Sequence, residues 1–196
     1  MAKRSLLRKG RGATLNPPVR FESRAVDPFA DGWSVNGEAE DLAPLTTTLI
    51  EDRSRSAIAW NESPDIGFDR AVNPYRGCEH GCIYCYARPS HAYLGLSPGL
   101  DFETKIVFKP DLARLLEREI SRPGYQVKPI ALGSNTDVYQ PVERRLKLTR
   151  AVIELFERTG HPFTIVTKSA GVLRDLDILT RMAARNLVRV HVSLTT

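Results

Sequence analysis

The rhythm of apolar and polar positions changes near Lys109. From there onward, segments of helical period alternate with short runs rich in β-branched residues, the signature of βα units on a parallel sheet. Pro110 suits a first helical position, and Leu112, Leu115, Leu116, Glu119 and Ile120 follow at helical spacing until Pro123 and Gly124 stop the run. The run "PIALG" (129–133) then reads as a buried strand. Pro141 opens a second predicted helix, with Val142, Leu146, Thr149, Val152, Ile153 and Phe156 on one face and Gly160 as its stop. The strand "FTIVT" (163–167) follows, then a third helix with Val172, Leu176, Leu179 and Ala183 on one side. In the last stretch, "VRVHVSLTT", Val188, Val190, Val192 and Leu194 alternate with Arg189, His191, Ser193 and Thr195. In a parallel barrel the apolar set would lie under the outer helices, and His191 and Ser193 would point into the lumen.

Upstream the pattern is different. Pro17, Pro18, Pro28, Gly32, Gly37 and Pro44 interrupt the chain, and no period of 3.6 or 2 is sustained. Residues 1–55 therefore read as an extended or partly disordered lead-in, and residues 56–196 as the folded core. The fold class is α/β, an open partial (β/α) barrel that stops after its fourth strand, since a closed eight-stranded barrel takes about 250 residues.

Charge adds one point to this division. The net charge is +5, but Lys3, Arg4, Arg8, Lys9, Arg11 and Arg20 lie in residues 1–21, which hold no acidic residue. Without these six, 22 basic residues face 23 acidic ones, so the alkaline pI of about 9.3 belongs to the lead-in. That reads as a solvated arm more than as a nucleic-acid face. Arg144, Arg145, Lys147 and Arg150 in "ERRLKLTR" read in the same way, as the solvated face of their helix. No run of about 18 apolar residues is present to span a bilayer, and the opening residues lack the apolar core of a secretory signal.

The chemistry is concentrated in "GCEHGCIYCY" (77–86), which holds all three cysteines of the chain. An odd number of cysteines in one short window is the wrong pattern for a disulfide framework and the right one for a metal site in a reducing compartment, so the expected location is cytoplasmic. Three thiolates spaced C-x3-C-x2-C can hold three corners of a [4Fe-4S] cluster and leave the fourth iron open to a substrate or cofactor. Two other readings start from the same residues. His80 would complete a Cys3His zinc site, although four ligands in so short a stretch wrap one ion poorly. Alternatively, His91, His161 or His191 would close the cluster as a fourth ligand in an electron-transfer protein.

"CEHGCIYC" resembles the C-x3-C-x-aromatic-C signature of the radical S-adenosylmethionine superfamily, and the wider "NPYRGCEHGCIYCYAR" resembles the branch of that superfamily that includes the spore photoproduct lyases. The resemblance spans about residues 56–196. It implies a full or partial (β/α) barrel with the cysteine loop after the first strand, and Cys78, Cys82 and Cys85 as cluster ligands. It further implies that S-adenosylmethionine chelates the open iron and is cleaved by one electron to a 5′-deoxyadenosyl radical that abstracts hydrogen from a substrate.

Five more residues are implied as cofactor contacts. Tyr84 holds the aromatic position beside the adenine, and Tyr86 follows it as in the lyase branch. Ser134 lies in "GSNTDVYQPVE" (133–143), which replaces the Gly-Gly-Glu turn of many members with the Gly-Ser-x-Thr-Asp turn of that branch, where Asn135 and Asp137 offer further polar atoms. Lys168, in "TKSAG", would meet the cofactor's carboxylate or ribose, and Ser193 would add a contact from the fourth strand. The plain alternatives are loop packing for the tyrosines, an Asp-capped turn at residues 133–137, a solvated lysine, and a cross-strand hydrogen bond at Ser193. An electron donor of flavodoxin or ferredoxin type is the implied partner, and nucleic acid is the substrate class that the lyase branch suggests. One departure bears on the reaction: lyase chemistry uses a further cysteine to return hydrogen to product, and here all three cysteines are in the loop. A chain ending at the fourth strand also admits the reading of an inactive fragment.

Overall fold

The computed structural model describes residues 10–21 and 45–194. Most of the expected lead-in, residues 1–9 and 22–44, lies outside the described residues. In chain order the strands and helices are β1 (Thr48–Glu51), β2 (Ile58–Trp60), β3 (Arg70–Val72), β4 (Tyr75–Arg76), α1 (Leu100–Thr104), β5 (Lys105–Phe108) and α2 (Leu112–Ile120). They continue with β6 (Ile130–Leu132), α3 (Glu143–Leu146), α4 (Leu148–Thr159), β7 (Phe163–Thr167), α5 (Leu176–Ala184) and β8 (Val188–Val192).

Two sheets result. The larger has the order β2-β3-β6-β7-β8, with β3, β6, β7 and β8 mutually parallel and β2 antiparallel at one edge. The smaller has the order β1-β5-β4. The expected α/β class and the parallel pairing of "PIALG", "FTIVT" and "VRVHV" are what the chain forms. One face of the large sheet carries the core: Val72, Ile130 and Ile165 are buried against Leu116 of α2, Val152, Ile153 and Phe156 of α4, and Ile178 and Met182 of α5. The other face, on which Thr164, Val166 and His191 stand, is partly or fully open. No helix among the described residues is long and apolar enough to cross a membrane.

Several expectations need correction. The lead-in is not irregular to Arg55, because β1 pairs in parallel with β5 along its length. The helix expected from Pro141 is broken at Lys147, whose φ of 54° is left-handed. The break has a physical cause: the buried carboxylate of Glu143 accepts from Thr149 N (3.0 Å) and Arg150 N (3.3 Å) and so caps the start of α4. Arg174, 2.8 Å away, compensates its charge, and Tyr75 OH donates to it.

Arg150 is not simply solvated, since its guanidinium reaches Asp177 (2.8 Å) and Asp175 (3.2 Å). The third helix begins as a 3-10 turn (Ala170–Asp175). Val172 and Leu179 are buried as expected, but the tighter turn shifts the phase, so Ile178 and Met182 join them while Leu176 and Ala183 are exposed. On β8, Val188 packs on the core cluster that holds Ile178 and Met182, but Val190 and Val192 are 36% and 57% exposed, so the helix cover expected over its apolar side is only partial among the described residues.

Candidate metal centre

The cysteine loop leaves β4 through Gly77, whose φ of 81° is left-handed and where an added Cβ would stand 2.9 Å from the Phe102 carbonyl oxygen. Cys78 N donates to that same carbonyl (2.9 Å), which fixes the first cysteine against α1. Successive turns then follow, with Gly81 N bonded to Cys78 O and Cys85 N to Cys82 O. Arg88 ties the loop together from below: its guanidinium donates to the carbonyls of Cys82 (2.9 Å) and Gly81 (3.0 Å) and to the Glu103 carboxylate (2.5 Å). On the other side Glu79 accepts from Val142 N (2.5 Å) and Thr47 Oγ1 (2.6 Å). Gln140 accepts from Glu79 N and donates to Gly77 O.

All three cysteines are free thiols. They line one cavity of about 470 Å³ at the C-terminal ends of β6, β7 and β8, a size that suits a small-molecule site. Tyr84, Tyr86, Ser134, Lys168 and Ser193 line the same cavity, so every site residue expected from the sequence is brought to it. Both tyrosines are exposed at its rim, and Tyr86 OH donates to Ser134 O, joining the cysteine loop to the turn after β6. Ser134 Oγ in turn accepts from Asn73 Nδ2 (3.2 Å). Ser193 is held by its backbone N–H on Thr167 O (2.8 Å). Lys168, expected at a cofactor carboxylate, here points Nζ at Cys82 Sγ, 2.9 Å away.

Asp137 is the polar centre of the cavity floor. It accepts from Thr167 Oγ1 (2.7 Å), Lys168 N (2.9 Å) and Tyr139 N (2.9 Å), and His80 Nε2 stands 3.3 Å from Oδ2. Burial works against its charge, but these donors outweigh it and hold the carboxyl below the usual range. The bond to Tyr139 N is the Asp-capped turn, so that alternative and a cavity-lining role are both met by one residue. Gly133, with a φ of 82°, makes the turn passable: an added Cβ would stand 2.9 Å from Thr136 O. Burial pushes the Cys78 thiol up to about 12, so a positive metal centre is what would make it a thiolate.

The histidines separate into different settings. His91 is buried with Nε2 on Lys105 O (3.0 Å), and His161 sits beside Tyr125 and Phe156, whereas His191 lines the cavity. Among the described residues no three His, Cys, Asp or Glu side chains converge to hold a single metal ion. A cubic cluster asks for something else, because each thiolate takes its own iron and the sulfurs stand apart. Three uncrosslinked thiols around one concavity, with backbone N–H groups and a lysine nearby, fit that requirement. Arg88, Glu103, Gln140 and Asn73 were not foreseen from the sequence; Asn73 and Arg88, the first and last residues of "NPYRGCEHGCIYCYAR", stand close enough to the motif to have been suspected.

The fold and the cavity thus define an α/β protein with a three-cysteine loop at the C-terminal end of a parallel sheet. No protein-family model matches the chain, and no solved structure does. Uncharacterized proteins of Mycobacterium tuberculosis and Mycobacterium bovis are each 42% identical to it over 150 residues, 75% of this chain and 44% of theirs. An uncharacterized protein of Methanocaldococcus jannaschii is 29% identical over 136 residues, 69% of this chain and 48% of its own. The chain spans less than half the length of these curated relatives.

Proposed function

We propose that the protein is a radical S-adenosylmethionine enzyme, similar to the spore photoproduct lyase branch, whose parallel strands form part of a (β/α) barrel. One observation carries the reading: the three cysteines of the C-x3-C-x2-C loop and the five residues expected as cofactor contacts all line a single cavity. Cys78, Cys82 and Cys85 would hold a [4Fe-4S] cluster. When bound, that cluster supplies the electron that splits S-adenosylmethionine, and the split cofactor supplies the hydrogen-abstracting radical.

The chain's own part is binding, orientation and exclusion of water. Tyr84 and Tyr86 offer aromatic faces for an adenine at the rim. Ser134 and Ser193 offer hydroxyls from the ends of β6 and β8, and Lys168 offers a cation for a carboxylate. The Ala131, Val166 and Phe68 side chains make the wall apolar and limit the water that reaches the reacting atoms. Three cysteines for four irons would leave one coordination position open, and an odd number of cysteines in one window supports a reducing cytoplasm as the location. An electron donor of flavodoxin or ferredoxin type is the partner this reading requires. Nucleic acid is the substrate class that the resemblance suggests, although Arg144, Arg145 and Lys147 stand outside the cavity lining.

The test is anaerobic reconstitution followed by metal and acid-labile sulfide analysis, then addition of S-adenosylmethionine and a strong reductant. About four iron and four sulfide per chain, with release of 5′-deoxyadenosine, is the expected result. Stoichiometric zinc without sulfide would overturn it.

A further inference from the structure

The carboxylate of Glu103 at the end of α1 is completely buried, and it is met by three consecutive backbone N–H groups from far away in the sequence. Arg11 N (2.7 Å) and Gly12 N (3.0 Å) donate to Oε2, and Ala13 N (2.6 Å) donates to Oε1. Arg88 Nη2 completes the set at 2.5 Å. The same short segment continues along the loop before α1. Leu15 O accepts from Leu100 N (3.1 Å), Asn16 exchanges two 2.9 Å bonds with Asp101, and Pro17 O accepts from Ser97 Oγ (2.7 Å). The Arg11 guanidinium donates to the Glu103 carbonyl and to Thr47 Oγ1 (2.8 Å), and lies 3.5 Å from Glu79.

Two routes lead from this segment to the cysteines. One runs through Glu103 to Arg88, whose guanidinium holds the carbonyls of Gly81 and Cys82. The other is direct: Gly12 packs on Gly81, so closely that a Cβ on Gly12 would overlap the Gly81 carbonyl oxygen. Gly81 itself has a φ of 64°, a left-handed conformation that lets the chain turn between the first two cysteines. The contacts are almost all polar. Leu15 is 43% exposed and Thr14 is exposed, while Arg11 and Asn16 are engaged through polar bonds, so little apolar burial holds the segment down. What holds it is Glu103, because a buried carboxylate that lost three N–H donors would be left with Arg88 alone at a high desolvation cost.

We infer that residues 10–17 are a clasp that keeps the cysteine loop in the conformation that receives the cluster, with Glu103 and Gly12 as its positioning residues. The inference rests on the cluster reading of the three cysteines. Neither residue lines the cavity, so each acts through the loop and not on cofactor or substrate.

Gly12→Ala in the full chain is the first variant, since it removes no hydrogen-bonding group and only forces the segment off Gly81. Reconstituted protein should lose its visible cluster absorbance to an iron chelator about tenfold faster than wild type, the factor that one lost charge-assisted hydrogen bond supports. The thermal midpoint of the metal-free protein should fall by about 3 to 6 °C, the shift that the same lost bond supports in a chain of this size, and the paramagnetic spectrum of the reduced cluster, which a mere loss of stability would not alter, should change shape. Glu103→Gln is the second variant and leaves the sequence around Arg11 intact for proteolysis. In metal-free protein trypsin should cut the Arg11–Gly12 bond at least about tenfold faster in Glu103→Gln than in wild type. Equal cleavage rates, or equal chelator rates in Gly12→Ala and wild type, would overturn the clasp. Wild-type protein that takes up no iron or sulfide would overturn the cluster reading instead, and proteolysis of the metal-free chain would still decide the clasp.

Discussion

The ammonium of Lys168 stands 2.9 Å from the sulfur of Cys82, while the backbone N–H of the same lysine donates to Asp137. A cation and a hydrogen bond at a ligand sulfur favour the more negative, reduced form of an iron-sulfur centre. Lys168→Met should therefore lower the reduction potential of the reconstituted cluster on the order of 60 mV, a tenfold change in a one-electron equilibrium. A redox titration followed by electron paramagnetic resonance reads this directly. An unchanged potential would mean that the lysine leaves the sulfur once the cluster is in place.

His80 separates the cluster from the zinc alternative. Its Nε2 faces Asp137 at 3.3 Å, although it lies between two of the cysteines in the sequence. Changing Cys78, Cys82 or Cys85 to Ala should each remove the bound iron and sulfide, and His80→Ala should retain both. Loss of the metal in His80→Ala, with zinc in the wild type, would favour a Cys3His site.

How much of this was legible in the sequence depends on the range of the interaction. The strand run 163–167 and the cysteine loop are local features of composition and spacing, and both are where the residues implied. His191 and Ser193 line the cavity because strand alternation is a backbone property. The break at Lys147 was hidden, since periodicity on either side of it is intact and its cause is Glu143, a buried carboxylate whose partners Tyr75 and Arg174 are distant in sequence. The phase of α5 was legible only in part, at Val172 and Leu179 but not at Leu176 and Ala183, because a 3-10 turn and an α-turn differ by a fraction of a residue. Residues 10–17 looked like part of a solvated arm, because no apolar pattern marks a segment that is held by backbone N–H groups on Glu103.

Glu119 shows the same kind of hidden bond in the core. It sits at helical spacing with the apolar residues of α2, is buried, and accepts from Ala57 N (2.8 Å) and Ile58 N (3.0 Å) at the start of β2. Glu119→Ala leaves two buried N–H groups without partners, which costs about 2 to 4 kcal/mol. Glu119→Gln keeps one acceptor and should cost about half as much. Urea unfolding should show the midpoint falling in that order with an unchanged slope; an Ala variant as stable as wild type would refute the assignment.

His161 should make stability depend on pH in a direction that can be worked out from its partners. Pro162 O can only accept, so Nδ1 (2.9 Å) carries the proton, and Nε2 must then accept from Tyr125 OH at 2.9 Å. The imidazole is neutral, stacked on Phe156 at 5.3 Å, and burial holds its pKa below the ordinary 6.5, with the charge of Arg70 adding to the effect. His91 is buried in a similar way, and its pKa is also lowered by burial. In both cases the unfolded chain binds a proton more readily than the folded one, so the stabilising effect is complete above about pH 6.5 and is lost as pH falls through the lower folded value. The melting temperature should decline between about pH 7 and pH 5. His161→Gln should start from a lower value at about pH 8, having lost the ring stacking, and decline less steeply below neutrality. Parallel curves for the two proteins would show that His161 takes up its proton in the folded state as freely as in the unfolded one.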